Sequence, residues 1–356
     1  MSAKWLLYGA NGYTGKLILE AAAQSNNLPI ISGRNSKQIE ELADKYGCQY
    51  LISNSENLSE KLNNQFGNIK LILNCAGPFV NTYKGVIKAC LDHSIHYTDI
   101  TGEWTVMEAL AAFHQEAVEK NIVVMPGVGF DVVPTDCLAL KLSGMISNPE
   151  KLILGFAGMN KASRGTLKSA VYHADKGNYI RLGGKIQKIP FKNTNECIEI
   201  NKRKFNLINI PWGDIFTAYY TTNIQNIEVQ TSVSKKAIKY ISSINLLKHI
   251  FKIGLLKNLA INYINNKLPE GPEESDKKDS VTYVFGKVTN SNGESADLCW
   301  STPDGYTLTV MTSLKIIEFI LNDPKISGFK TPAGAYGFEW FLNLENINTD
   351  ITKKSC

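Results

Sequence analysis

The chain has no run of 18 apolar residues, which excludes a conventional membrane-spanning helix. It has no Cys-x-x-Cys pair, and none of its 5 histidines stands at a metal-site spacing from its 7 cysteines. That argues against a structural zinc or any other metal centre. Glycine at 27 and proline at 12 are too few for a collagen-like or proline-rich chain. The N-terminus passes from Lys4 straight into Trp5-Leu6-Leu7-Tyr8 and a glycine turn, unlike a signal peptide. Acids are missing from 229 to 269, where seven lysines lie: 235, 236, 239, 248, 252, 257 and 267. Without those lysines the net charge of +5 would be −2, so the basicity belongs to one segment. It does not describe a general nucleic-acid-binding surface, and no nucleic-acid partner is expected. What is present is 356 residues, 44% apolar and 20% charged, enough to bury a sizeable core over two domains. Scattered cysteines, each read as a small buried hydrophobe, suit a reducing, cytoplasmic setting.

Through the first 150 residues short apolar runs alternate with helical spacing. Strands are expected at Lys4 to Tyr8, Pro29 to Ser32, 49 to 52, Lys70 to Asn74, Ile95 to Ile100 and Ile122 to Met125. Helices are expected near Gly15 to Ser25, Ser36 to Tyr46, Tyr83 to His93 and 103 to 120. This alternation predicts βαβ units on a parallel sheet. Beyond 150 the texture changes to an α+β pattern with a mixed or antiparallel sheet. Its strands are read at Lys151 to Ala157, Glu196 to Ile200, Asn223 to Val233, Ser280 to Val288 and Ala296 to Trp300, with Asn290-Ser291-Asn292-Gly293 as a hairpin turn. Gly305 to Met311 reads as another strand leading into a helix at 312 to 322.

At the first strand–helix junction stands Gly9-Ala10-Asn11-Gly12-Tyr13-Thr14-Gly15, spaced GxxGxxG. Glycines there let the backbone turn and approach a pyrophosphate, which the N–H groups of the new helix face. Gly9, Asn11, Gly12, Tyr13, Thr14 and Gly15 are therefore candidate dinucleotide ligands. The competing explanation is a glycine loop that merely packs a helix on a sheet. The second strand ends in Gly33-Arg34-Asn35, with no acid before Glu40. An NAD site usually places an acid there, whereas a guanidinium suits a 2′-phosphate, so Arg34 and Asn35 select NADP (NADPH). After the fourth strand, Ala76, Gly77, Pro78 and Phe79 should pass beside the nicotinamide ribose, while Cys75 reads as packing.

The motifs Tyr8 to Gly15, Ser32-Gly33-Arg34-Asn35, Asn74 to Phe79, Tyr97 to Glu103, Pro126 to Asp136, Ser163 to Thr166 and Thr331 to Ala335 together resemble the saccharopine dehydrogenase-like oxidoreductases. Within them, the resemblance is to the branch of mammalian saccharopine dehydrogenase-like proteins and mycobacterial trans-acting enoyl reductases. It implies an α/β fold: an N-terminal Rossmann-type doubly wound parallel sheet, a second α+β domain, and C-terminal helices returning to the first. The corresponding division is 1–135 for the dinucleotide, 136–310 for substrate or partner, and 311–356 packing back on the first domain. Val128-Gly129 departs mildly from the family's usual pair before Phe-Asp. Because branches of the family reduce different bonds, the resemblance leaves the substrate open.

Hydride chemistry needs a positioned nicotinamide, an acceptor carbon and a proton source. Asp131, Tyr172 and His173 are the candidate catalytic residues, with Arg164 and Thr166 beside the latter two. Asp99 and Glu103 read as ligands of turn and helix N–H groups. Residues 235–267 space Ile238, Ile241, Ile244, Leu247, Phe251, Leu255, Leu256, Leu259 and Ile264 as basic amphipathic helices interrupted at Gly254. They suit a layer on the second sheet, a homodimer surface, or a greasy groove at an anionic membrane surface. The expected activity is NADPH-dependent reduction of a polarised C=C or C=X bond in a small hydrophobic or acyl-linked substrate. The alternatives are a saccharopine-type imine reductase and a non-catalytic NADP-bound, lipid-associated scaffold. A substrate with several carboxylates would need convergent arginines, and the chain has only Arg34, Arg164, Arg181 and Arg203.

Overall fold

A computed structural model describes residues 5–63, 68–159, 162–173, 177–190, 196–234, 254–273, 275–276, 280–323 and 325–355. The chain divides into two units, Met1–Val133 with Tyr306–Ala335, and Pro134–Gly305 with Tyr336–Cys356.

The first unit follows the expected alternation: β1 (Trp5–Tyr8), α1 (Tyr13–Gln24), β2 (Ile30–Gly33), α2 (Ser36–Tyr46), β3 (Tyr50–Ile52), α3 (Leu58–Asn63), β4 (Leu71–Asn74), α4 (Phe79–His93), β5 (His96–Asp99), α5 (Trp104–Ala111), α6 (His114–Glu119) and β6 (Val123–Met125). With the strand Gly328–Phe329 at its edge, the sheet runs Gly328–Phe329, β6, β5, β4, β1, β2, β3, every pairing parallel. β1, β2 and β4 are buried at every position, as strands covered on both faces must be. Tyr8 is in register with Ser32 and with Asn74, and Asn74 with Asp99. β1, β4 and β5 therefore end on one rung and β2 one residue beyond it, so the loops that follow leave from a common edge. Strand order reverses at β1, the switch point where such sheets take ligands.

Two expectations fail here. The helix expected over 103 to 120 is broken at Ala112 and Phe113 into α5 and α6. Gly305 to Met311 is helical, part of one return helix, Gly305–Asn322. Its β-branched residues suggest a strand, but Leu308, Thr309, Thr312, Ser313, Ile316, Ile317 and Ile320 are buried at 3- and 4-residue intervals. One packed face overrides local propensity. The return to the first unit thus starts at Tyr306 rather than 311, and it ends at Ala335.

The second unit contains α7 (Val133–Ser143), which begins at the boundary, and β7 (Lys151–Ala157), α8 (Arg164–His173), β8 (Asn178–Leu182), β9 (Lys185–Ile189), β10 (Cys197–Ile200), β11 (Arg203–Asn209), α9 (Asp214–Thr222), β12 (Asn226–Val233), α10 (Gly254–Lys267), β13 (Thr282–Thr289) and β14 (Ser295–Thr302). Its nine-stranded sheet is mixed, with β7 parallel to β12 and antiparallel to β13. The strand Lys353–Ser355 pairs with β10, so residues 336–356 belong to this unit and not to the first. One side of the sheet carries Ile198, Ile200, Leu207, Tyr283 and Phe285 as a core, with Phe205 and Ile351 packed against it.

Cys48, Cys75, Cys90, Cys137 and Cys299 are free thiols, but Cys197 is disulfide-bonded, against the expectation of thiols throughout. Bonding depends on which chain segments a sheet brings together, and linear spacing does not encode that. Among the described residues no His/Cys/Asp/Glu group could hold a metal ion. No helix there is long and apolar enough to cross a membrane. The stretch 235–253, with five of the seven lysines, lies outside the described residues. The described part of α10 begins at Gly254, so the interruption expected there falls at the edge of the described residues.

Candidate active site

The glycine loop is shaped by close approaches. Gly9 takes φ +84°, and its N–H donates to Ser32 O at 2.8 Å. A Cβ on Gly9 would stand 2.7 Å from the Ala76 nitrogen. One on Gly15 would run into the Gly9 carbonyl oxygen, and one on Gly33 would lie 2.8 Å from Asn11 Oδ1. Gly12 caps α1 with no side-chain hydrogen bond, and the helix has no acid in its first turn, which includes Thr14. The positive end of the helix dipole is thus left unmasked by side-chain charge and fits a pyrophosphate. Asn11 Nδ2 donates to Gln38 Oε1 at 2.8 Å, tying the loop to α2. Tyr13 stands edge-on to Tyr306, ring centroids 5.0 Å apart.

At the end of β2, Arg34 is exposed, and its charge reaches the Tyr8 phenol. Burial holds that phenol above its ordinary pKa; a hydrogen bond with Ser55 and the Arg34 charge pull it back. A phosphate at this point would meet a guanidinium with two hydroxyls nearby. Tyr8 and Ser55 were not singled out from sequence, although Tyr8 directly precedes Gly9. Asn35 caps α2, its side chain accepting from Gln38 N at 3.2 Å.

The loop after β4 is wired internally. Asn74 Oδ1 accepts from Ala76 N at 3.0 Å, and Thr82 Oγ1 donates to Ala76 O at 2.7 Å. The Gly77–Pro78 peptide is cis. Phe79 N and Val80 N, which open α4, both donate to the Glu103 carboxylate, at 3.1 and 3.3 Å. Burial, then the charge of Asp99, raises the Cys75 pKa, so the thiol stays protonated at neutral pH and reads as packing.

The loops after β5 and β6 carry buried carboxyls. Asp99 Oδ1 accepts from Thr101 N at 3.0 Å and Gly127 N at 2.9 Å, while Oδ2 accepts from the Tyr97 hydroxyl at 2.7 Å. Burial raises Asp99 to about 6, against the pull of those hydrogen bonds, and Glu103 adds to the rise. Asp99 and Glu103 thus do what the sequence suggests, binding main-chain N–H groups, though the helix Glu103 supports is α4. Asp131 lies over Gly102, where a Cβ would stand 3.0 Å from its Oδ2. Burial, then the Glu103 charge, pushes Asp131 up to about 7. A carboxyl so poised exchanges a proton near neutral pH. Part of its surface still meets solvent.

In the second unit, Tyr172 and His173 end α8, and their side chains lie outside the described ones. Arg164 Nε donates to Leu268 O at 2.6 Å, and Ser163 and Thr166 share a 3.3 Å hydroxyl contact.

Residues 5–125 match the saccharopine dehydrogenase NADP binding domain family. A saccharopine dehydrogenase-like oxidoreductase of Mus musculus is 25% identical, the alignment covering 93% of this chain and 92% of that protein. A putative trans-acting enoyl reductase of Mycobacterium tuberculosis is 25% identical over 37% of this chain and 33% of its own length. In fold, the chain is similar to the apo saccharopine dehydrogenase (L-Glu forming) of Saccharomyces cerevisiae, with 11% identity, TM-score 0.64 and 99% of both chains covered. With the glycine cradle and Arg34 in place at the sheet's edge, residues 5–125 form an NADP-binding domain of the saccharopine dehydrogenase kind, in a chain similar over most of its length to saccharopine dehydrogenase-like oxidoreductases.

Proposed function

We propose that the protein is an NADPH-dependent oxidoreductase that reduces a polarised C=C or C=X bond in a hydrophobic or acyl-type substrate. Bound NADPH would supply the hydride. Gly9, Gly12 and Gly15 would cradle its pyrophosphate, Arg34 would hold its 2′-phosphate, and Ala76 to Phe79 would line the ribose. The observation that carries the reading is Asp131, a carboxyl at about 7 on the same sheet edge as the glycine loop. In its protonated form it donates to the acceptor's second atom, and it recovers the proton from water. Tyr172 and His173 are the alternative donors. Two arginines are already engaged: Arg164 with Leu268 O, and Arg181 with Ile215 O and Gly184 O and stacked 4.2 Å from the Tyr219 ring. That engagement favours an acyl substrate over one with several carboxylates.

The test is a fluorescence titration with NADPH and NADH, followed by NADPH consumption at 340 nm. The acceptors are an α,β-unsaturated acyl thioester and an imine formed from a 2-oxo acid and an amino acid. Turnover of the thioester, lost in Asp131→Asn, is expected. Turnover of the imine alone would transfer the function to the amino-acid reading, and binding without any turnover would favour a scaffold.

A membrane-surface role has one supporting observation. Leu259, Tyr263 and Lys267 of α10 are exposed at four-residue spacing, while Ile264 is buried. An apolar, aromatic and cationic stripe of this kind suits an anionic lipid surface. Cosedimentation with anionic but not neutral vesicles is expected; no cosedimentation with either ends this reading.

A further inference from the structure

The return helix reaches the site from the far end of the chain at two points. Tyr306, in its first turn, meets Tyr13 of the glycine loop edge-on at 5.0 Å. Three residues on, Thr309 Oγ1 accepts the Phe130 N–H at 3.0 Å. Positions 306 and 309 share one face of a helix. A single rigid face therefore touches both the loop that cradles the dinucleotide and the loop that bears Asp131. The second contact is tight: a Cβ on Gly129 would come within 2.9 Å of the Thr309 methyl. Thr312 Oγ1 reinforces it by donating to Val128 O at 2.8 Å.

We propose that the return helix is a spacer, with Tyr306 positioning the glycine loop and Thr309 positioning the Asp131 carboxyl. The inference rests on the reading of Asp131 as the proton-exchanging group. Holding the Phe130 amide fixes the backbone that enters Asp131. That keeps the carboxyl over Gly102, where Glu103 faces it from the β5–α5 connection. Released, the loop lets the carboxyl turn towards water, and its acidity moves back towards that of an ordinary carboxylate. The helix thereby sets how far the proton donor stands from the cofactor loop. This is the kind of geometric control on which transfer chemistry depends steeply.

The experiment uses the full chain labelled with 13C at the aspartate carboxyls, titrated by NMR, with Asp131 assigned by the signal missing from Asp131→Asn. Thr309→Val keeps the side-chain shape and removes the acceptor; Thr309→Ser keeps the acceptor. The wild-type midpoint is expected at about 7. Thr309→Val should lower it by roughly one pH unit or more, and Thr309→Ser should leave it in place. NADPH affinity should hardly change in Thr309→Val. Tyr306→Leu should weaken NADPH binding about 3- to 10-fold, the scale of one lost aromatic pair, and leave the Asp131 midpoint alone. A wild-type midpoint near 3.8, the ordinary value, would remove both the Asp131 reading and this inference. A wild-type midpoint near 7 that Thr309→Val leaves unmoved, or that Thr309→Ser lowers equally, would overturn the inference alone. So would wild-type NADPH affinity in Tyr306→Leu.

Discussion

The two ends of the candidate site are built by opposite means. At β1 and β2 the site is made of main chain: Gly9 at φ +84° against Ala76, Gly15 against the Gly9 carbonyl, and a helix start capped without a side chain. At β5 and β6 it is made of side chains: Asp99 ties three donors, Glu103 caps α4, and Asp131 lies over Gly102. The first end removes side chains so that a ligand can approach the backbone. The second brings carboxyls out of water and next to one another, which raises their pKa values. One end is suited to binding an anion and the other to exchanging a proton.

Substitutions at each end should therefore fail differently. The largest effect is expected for Gly9→Ala, which combines a left-handed backbone with an overlap on Ala76. Together these cost about 2–5 kcal/mol and abolish NADPH binding, read by thermal denaturation and fluorescence titration. A variant that folds and binds like wild type would break the backbone half of the comparison.

Asp131→Asn should act in the other direction, on stability and with pH. Asp131 titrates at about 7 when folded against an ordinary 3.8, so the folded state binds the proton more tightly. The stability it contributes is fully present below about 3.8 and is lost as pH rises through about 7. The asparagine variant should therefore be more stable than wild type at pH 8, by about 2–4 kcal/mol, and match it near pH 3. Urea unfolding at the two pH values checks this, and equal stability at pH 8 would remove the burial argument.

Smaller effects sharpen the contrast. Arg34→Ala should weaken NADPH about 10- to 100-fold and NADH hardly at all, the scale of lost charge-assisted hydrogen bonds. Equal losses for the two nucleotides would reject the 2′-phosphate assignment. Glu103→Gln should cost only about 1 kcal/mol, through a weaker anionic cap on α4. It should also lower the Asp131 midpoint, because a repelling charge has gone. Calorimetry and the carboxyl titration read those two consequences separately.

The first end was legible in the sequence and the second largely was not. GxxGxxG at a strand–helix junction is a local pattern, since each glycine answers to neighbours within one turn or in adjacent parallel strands. β1, β2 and β4 are buried throughout and read as continuous apolar runs. β9, mostly outside the core, and β11, which is exposed at its start, carry no such signal and were not anticipated. Asp131 was picked out as a candidate, but nothing near it in sequence indicates Thr309, or the hydroxyl of Ser55 beside Tyr8. Asn35 looked like a cofactor ligand, and in the fold its side chain caps α2.

By itself, the sequence determined the parallel βαβ unit, the glycine cradle and the cationic end of β2, because all three depend on short-range periodicity and backbone permissiveness. Tertiary structure alone decided that Gly305–Asn322 is one helix, that it returns at Tyr306, and that residues 336–356 join the second unit. It also decided the proton affinity of Asp131. Burial and a neighbouring charge set a pKa, and both are properties of the packed chain rather than of the aspartate.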